Sequence, residues 1–166
     1  ISEKKLSKRT SLTFDLDKKN TFYIDYNSID WLHIAYIDDL NFLKKINFKK
    51  KPVSIDFCTL DSRKKYLKFI KQSKLVFDSR ERKFLYKKLK FNTPLILHDQ
   101  FGCECIINGK IIFEEKIKPL KNINVNGAGD IFAGLFIDLY LNRDIEIASK
   151  NCSSLTKNKI KNAKKI

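Results

Sequence analysis

An α/β fold with a mostly parallel sheet is what this sequence predicts, and three observations carry it. Short apolar runs alternate with segments of helical spacing between residues 30 and 98, an Asn108-Gly109 pair separates two β-prone runs, and Gly127-Ala128-Gly129 opens a long apolar segment. With 166 residues, 43% of them hydrophobic, the chain is long enough for one compact domain with its own core and too short for two.

Taken in order, Thr10 to Leu16 and Thr21 to Tyr26 are β-prone runs joined by Asp17-Lys18-Lys19-Asn20, which suits a hairpin. Asp30 to Tyr36 reads as a strand, and Asp38 to Ile46 as a short helix with Asp residues at its cap. Pro52 to Phe57 is an apolar strand, and Leu60 to Gln72 places Tyr66, Leu67, Phe69 and Ile70 at helical spacing. Lys74 to Phe77 reads as a strand, Arg80 to Leu89 as a helix and Pro94 to His98 as a buried strand. Strands alternating with helices of this length imply right-handed crossovers and a parallel sheet covered on both faces. Asn108-Gly109 then predicts a type I′ turn, because both central residues need positive φ, between antiparallel strands Cys103 to Ile107 and Lys110 to Phe113. The last third is helical: Ala128 to Leu141, with small Ala133 and Gly134 allowing close packing, then a helix capped by Asp144 and a Lys-rich tail from Lys157 that frays.

The net charge of +15 favours polyanionic partners without choosing among them. Lysine scattered with Ile and Asn through every segment reads as a solvated surface, since a nucleic-acid footprint should cluster on one face. Cys58, Cys103, Cys105 and Cys152 lack the spacing of a metal quartet, and Cys103 and Cys105 share a strand face as small apolar fillers. A reducing cytoplasm is the default without a signal peptide or disulfide spacing. The longest apolar run, Ile131 to Ile137, is far short of the ~20 residues that span a bilayer. There is no Met, so the chain is expected to be a fragment or trimmed product, with any site upstream of Ile1 outside it. His33, His98 and Trp31 sit in or beside apolar strands and read as core residues.

The chemistry concentrates in Ile123 to Gly134, INVNGAGDIFAG. Gly127, Ala128 and Gly129 keep the backbone clear of large side chains where a helix begins, so unpaired N–H groups and the helix dipole converge on one anion. Asp130 sits in the first turn, where a carboxylate can take the proton of a hydroxyl, an arrangement suited to phosphoryl transfer to an alcohol. Read structurally, the same residues are a tight loop with Asp130 well placed against the dipole. Asp78 and Glu81, three apart at a strand end, can hold a hydrated Mg²⁺. On spacing alone they equally read as an N-cap, Asp78 or Ser79, with Glu81 near a helix start.

At Gly127, Ala128, Gly129, Asp130, Phe132, Ala133 and Gly134 the chain resembles the PfkB, or ribokinase-like, family of carbohydrate kinases. The resemblance covers residues 30 to 155. It implies a three-layer α/β/α fold lacking its N-terminal part, with residues 1–27 the end of a small β-lid, and residues 28–166 the nucleotide-binding and catalytic core. It further implies that Asp130 is the catalytic base, that Gly127 to Gly129 form the anion hole for the transferred ATP phosphoryl group, and that Asn126 and Gly102 belong to the nucleotide site. Asp78-Ser79-Arg80-Glu81 resembles the family's Asn-x-x-Glu element, which supports magnesium and the phosphates. Leu97 to Gly102 stands where the family has Thr-x-Gly-x-x-Gly, with Asp99 at the first Gly. Asn124 and Val125 replace the usual Asp and Thr, and the Asp helps a monovalent-cation site, which puts potassium activation in question. The implied activity is ATP-dependent phosphorylation of a sugar or related small alcohol, with a homodimer through the β-lid and no nucleic-acid or membrane partner. The rival readings are a basic nucleic-acid-binding or scaffold domain and a degenerate nucleotide binder without catalysis.

Overall fold

Residues 2–3, 8–9, 24–35, 40–120 and 127–162 are described in the computed structural model. Two short strands, β1 (Ser2–Glu3) and β2 (Lys8–Arg9), pair antiparallel in a sheet of their own. The β-prone runs of the expected lid hairpin lie mostly outside the described residues. The part that is described, 24–26, leads into a turn instead of extending a strand: the Asp25 side chain accepts from Asn27 N at 2.9 Å, an Asx turn that competes with strand pairing.

From there each apolar run becomes a strand. β3 (Leu32–Ile34), α1 (Leu40–Lys44) and β4 (Val53–Asp56) come first, and residues 38–39, where α1 was expected to be capped, lie outside the described residues. A 3₁₀ segment (Arg63–Tyr66) runs into α2 (Leu67–Gln72) and β5 (Leu75–Ser79). The helix expected from Leu60 thus starts three residues late, and Leu60 is 74% exposed. A second 3₁₀ segment (Arg80–Tyr86) replaces the expected α-helix from Arg80 to Leu89, with Arg82 and Tyr86 both anchored on Asp78. Then come β6 (Leu95–Asp99), β7 (Gly102–Ile107) and β8 (Lys110–Lys116), followed by α3 (Ala128–Asn142) and α4 (Ile145–Asn162).

Six strands form one sheet in the order β3-β4-β5-β6-β7-β8, parallel through β6 and antiparallel beyond it. Asn108 and Gly109 have φ of 52° and 76°, the two positive values that the Asn-Gly pair was expected to supply. Alternation along the buried strands sorts side chains to two faces. Val76, Leu95 and Leu97 join Leu43, Tyr66 and Ile70 beneath α1 and α2, whereas Leu75, Phe77 and Ile96 join Phe132, Phe136 and Cys152 beneath α3 and α4. The result is three layers, with cores on both sides of the sheet. Phe77 meets Phe136 edge-on at 5.5 Å and Phe132 at 6.4 Å, and burying each ring contributes about 1.5–3 kcal/mol.

Asp144 caps α4, accepting from Ile147 N at 2.7 Å, and the helix continues through Asn162, beyond the point where fraying was expected. Glu115 on β8 accepts from Ser153 N at 2.7 Å and Ser154 N at 2.9 Å, which pins that helix to the sheet edge. Cys103 and Cys105 are fully buried in the second core, as their shared strand face predicted, and burial pushes the Cys103 thiol up to about 12. Gly134, expected to permit close packing, is instead exposed, and a Cβ there would meet nothing within 4 Å among the described residues, while Ala133 is fully buried. Among the described residues no helix is long and apolar enough to cross a membrane.

Candidate active site

Parallel strands deliver their carboxyl ends to one edge of the sheet, and the chemistry-bearing residues collect there. β4 ends at Asp56, Asp78 is the next-to-last residue of β5, and β6 ends at His98 and Asp99. α3 starts beside them. Gly127 is its N-cap with φ of 74°, a left-handed conformation that glycine adopts without strain, and among the described residues no side chain caps the helix. The first helical bond runs from Ile131 N to Gly127 O at 2.9 Å. The amides of Ala128, Gly129 and Asp130 therefore have no acceptor within the helix, at the positive end of its dipole. Among the described residues a Cβ on Gly127 would meet nothing within 4 Å, and one on Gly129 would touch only His98 Cε1 at 3.7 Å.

Asp130 is exposed in the first turn of α3, and its charge acts on two residues of neighbouring strands, His33 and Asp56. Asp56 is 7% exposed, and no donor among the described residues bonds its carboxylate. Burial pushes it up to about 7, with Asp78 and Asp130 adding to the rise and Arg82 and Arg63 opposing it. His98 stacks on Phe132 with ring centres 4.5 Å apart, under the first turn of α3. Burial pulls it down to about 4 against the attraction of Asp78, so it is neutral at physiological pH. His33 Nδ1 lies 2.7 Å from Ser54 Oγ, which also accepts from Trp31 Nε1 at 2.8 Å, and its buried Nε2 has no partner among the described residues. Burial lowers the His33 pKa and Asp130 works against it.

Asp78 is engaged differently from the expectation that it would help hold a metal. It is fully buried, and Oδ2 accepts from Arg63 Nε (3.0 Å) and Nη2 (2.8 Å) and from Tyr86 Oη (2.7 Å). Oδ1 accepts from Arg82 Nε (2.5 Å) and Ser79 N (2.7 Å). Two guanidinium groups, a phenol and an amide occupy both oxygens, which leaves no lone pair open for a cation. Glu81 is exposed, and Ser79 caps its amide at 3.4 Å, so the N-cap reading of this tetrapeptide describes the local geometry. Arg63 also donates to Asp61 O and Thr59 O, each at 2.7 Å, and stacks over Phe57 at 4.5 Å. Sequence reasoning missed Arg63 and Asp56, although an acid ending an otherwise apolar strand was a usable signal for the latter.

Gly102 lies in β7 with φ of 134°, and a Cβ there would fall 1.9 Å from Glu115 O, so the β7–β8 contact itself requires glycine. Asp99 Oδ1 accepts from Phe101 N at 2.7 Å, closing the turn before β7, and Arg80 lies 3.7 Å from Asp99 and 3.5 Å from Glu104. Asn124 and Asn126 lie outside the described residues.

No known family's sequence model matches the chain, and no curated protein matches it in sequence. Solved structures do. The chain superposes on the nucleoside kinase of Methanocaldococcus jannaschii, an archaeal member of the ribokinase family, with a TM-score of 0.51 at 22% identity, over 77% of this chain and 52% of that one. It superposes equally, at a TM-score of 0.51, on a ribokinase from Thermotoga maritima at 16% identity, over 82% of this chain and 53% of that one. The chain spans about half the length of these neighbours. The fold is ribokinase-like, and the geometry assembled at the carboxyl ends of its strands is what has to be read for chemistry.

Proposed function

We propose that this chain carries the phosphoryl-transfer half of an ATP-dependent kinase acting on a hydroxyl of a sugar or related small alcohol. The observation that supports this most is the amide cradle of residues 127–129, uncapped among the described residues, with the exposed Asp130 carboxylate in the same helical turn, at the carboxyl ends of a parallel sheet. In this reading Asp130 takes the proton of the attacking hydroxyl, and the amides of Ala128 and Gly129 and the helix dipole stabilise charge on the transferred phosphoryl oxygens. Neutral His98 beneath the helix adds no positive charge of its own and serves to hold the first turn through its stack on Phe132.

Asp78, whose oxygens are taken, would not hold magnesium, and among the described residues no group of three or more metal-ligating side chains stands together, so an ion brought in with ATP would meet a single protein carboxylate, Asp56, beside Asp130. When bound with ATP it would neutralise phosphate charge. Glu81 is free to orient its waters, and potassium activation is not proposed.

A second reading is a nucleotide binder without turnover, in which the amides of residues 127–129 hold phosphate and Asp130 takes no proton. One experiment separates the two. ATP·Mg at about 100 times its Kd should stabilise the protein by about 2.7 kcal/mol in thermal unfolding, and a panel of sugars and nucleosides should show ATP consumption that Asp130→Asn abolishes while the thermal shift stays. Consumption that survives the substitution rejects Asp130 as the base, and a thermal shift without consumption by the wild-type protein leaves the binder.

A further inference from the structure

The charge of this chain is polarised along its strands. Residues 40–92 hold 17 of the 34 Lys and Arg but only 4 of the 19 Asp and Glu, so +13 of the +15 net charge lies in the segment that builds α1, α2 and the two 3₁₀ turns. Its four acids, Asp56, Asp61, Asp78 and Glu81, all stand at or just past the carboxyl ends of β4 and β5. At the amino ends of β4, β5 and β6 the charged residues are all lysines: residues 49–51 precede β4, Lys71 and Lys74 precede β5, and Lys87, Lys88 and Lys90 precede β6, while Asp30 precedes β3 at the sheet edge. Backbone bonds hold these stretches side by side, Lys74 N on Val53 O at 2.7 Å and Val76 N on Pro94 O at 3.0 Å. Thr93 Oγ1 ties the third to the end of α2 through Ile70 O at 2.8 Å.

Lys71, Lys74, Lys88 and Lys90 are exposed, and none of them is in an ion pair among the described residues. Lys71 and Lys90 flank a hollow of about 680 Å³ that Asn92 and Asn108 also line. Uncompensated cations around a concavity with amide donors match a line of phosphates. The exposed large hydrophobic residues, such as Leu60, Phe84 and Phe101, lie outside residues 47–53, 71–74 and 87–93, and the apolar residues lining the hollow, Leu89 and Phe91, are half-buried against the core, so this rim offers little to insert into a lipid surface.

We propose that the amino end of the parallel sheet is a docking surface for the phosphodiester backbone of a nucleic-acid duplex. It lies a strand length, about 15 Å, from the Asp130 edge, and does not depend on the kinase reading. Contact is to phosphates, so it discriminates little among sequences.

Fluorescence anisotropy with labelled 20-base-pair DNA and RNA duplexes across a sodium chloride series tests this. Two variants carry the same change in net charge: Lys71→Glu/Lys74→Glu/Lys88→Glu/Lys90→Glu at the rim, and Lys116→Glu/Lys157→Glu/Lys159→Glu/Lys161→Glu at the far end. The rim variant should lose at least about 30-fold in affinity near 100 mM salt, and its log K against log[salt] slope should flatten by about 3–4, while the far-end variant changes less than about threefold. If the rim variant unfolds, Lys71→Gln/Lys90→Gln carries the same test, with the slope flattening by about 2. Equal losses in both variants would mean attraction by net charge alone and overturn the proposal. So would a wild-type protein that ignores both duplexes, or one that prefers phosphatidylserine vesicles to them. A preference between DNA and RNA identifies the source of the backbone.

Discussion

Arg63 reaches Asp78 through both Nε, at 3.0 Å, and Nη2, at 2.8 Å, and neither side chain has exposed surface. The pair welds the first 3₁₀ segment to the end of β5, and Arg82 and Tyr86 add the second. Taking two charges out of water is costly unless every partner is present, so losing one member costs more than the pair is worth. Arg63→Met leaves Asp78 with Arg82, Tyr86 and an amide and should cost about 2–3 kcal/mol, whereas Asp78→Leu strands a buried guanidinium and should cost about 4–5 kcal/mol. The double variant should cost at least about 2 kcal/mol less than the sum of the two. Urea unfolding with unchanged m-values checks this, and strict additivity would show that the two groups are not coupled.

Asp56 and His98 titrate in opposite senses. With its pKa raised from 3.8 to about 7, Asp56 binds more proton folded than unfolded, so its contribution to stability falls as pH rises through that window. His98, lowered from 6.5 to about 4, binds less when folded, and its contribution falls as pH drops through 6.5 toward 4. The lowered His33 adds to the His98 sense. Between about pH 4.5 and 6.5 the two slopes offset each other. Relative to the wild type, Asp56→Asn should therefore gain stability from pH 4.5 to 6.5 and His98→Phe should lose it, each by about 1–2 kcal/mol. Differences of the same sign in chemical unfolding at the two pH values would refute the assignment.

Three glycines rank by what surrounds them. Gly102→Ala places a Cβ 1.9 Å from Glu115 O and should cost more than about 3 kcal/mol or prevent cooperative folding. Gly127→Ala meets open space but must hold φ of 74°, at a cost of about 1–2 kcal/mol. Gly134→Ala, exposed within α3 and contacting nothing, should gain about 0.5–1 kcal/mol. Melting temperatures in any other order would contradict these backbone placements.

The parallel run was legible because buried parallel strands read as apolar runs, and Asn108-Gly109 marked the second of two reversals, between β7 and β8, while the first, between β6 and β7, carries no such pair. The first turn of α3 was legible because small residues before an apolar helix have few other uses. Arg63 was not, since it opens an Arg-Lys-Lys run in which nothing distinguishes the buried cation from its two exposed neighbours. The Arg80 segment carried good helix formers but wound as 3₁₀, a choice made by two anchors on Asp78 that no local propensity encodes. Lysine looked dispersed along the chain because clustering arises only when successive crossovers return to the same end of the sheet.

Ser54 sits at the centre of a small relay whose failure is predictable atom by atom. Its hydroxyl oxygen accepts from Trp31 Nε1 at 2.8 Å, and its hydrogen is free to serve His33 Nδ1 at 2.7 Å, which would leave the proton of a neutral imidazole on Nε2. Ser54→Ala removes one hydroxyl and orphans two groups at once, the indole donor and the Nδ1 acceptor, and should cost about 2–4 kcal/mol. His33→Leu removes a ring whose Nε2 is already buried without a partner among the described residues, and frees the Ser54 hydrogen only, so it should cost less than about 1 kcal/mol. Thermal and urea unfolding of the two variants read the difference directly. A His33→Leu cost as large as that of Ser54→Ala would mean that Nε2 is bonded in solution, with the Asp130 carboxylate the acceptor to test next through Asp130→Asn.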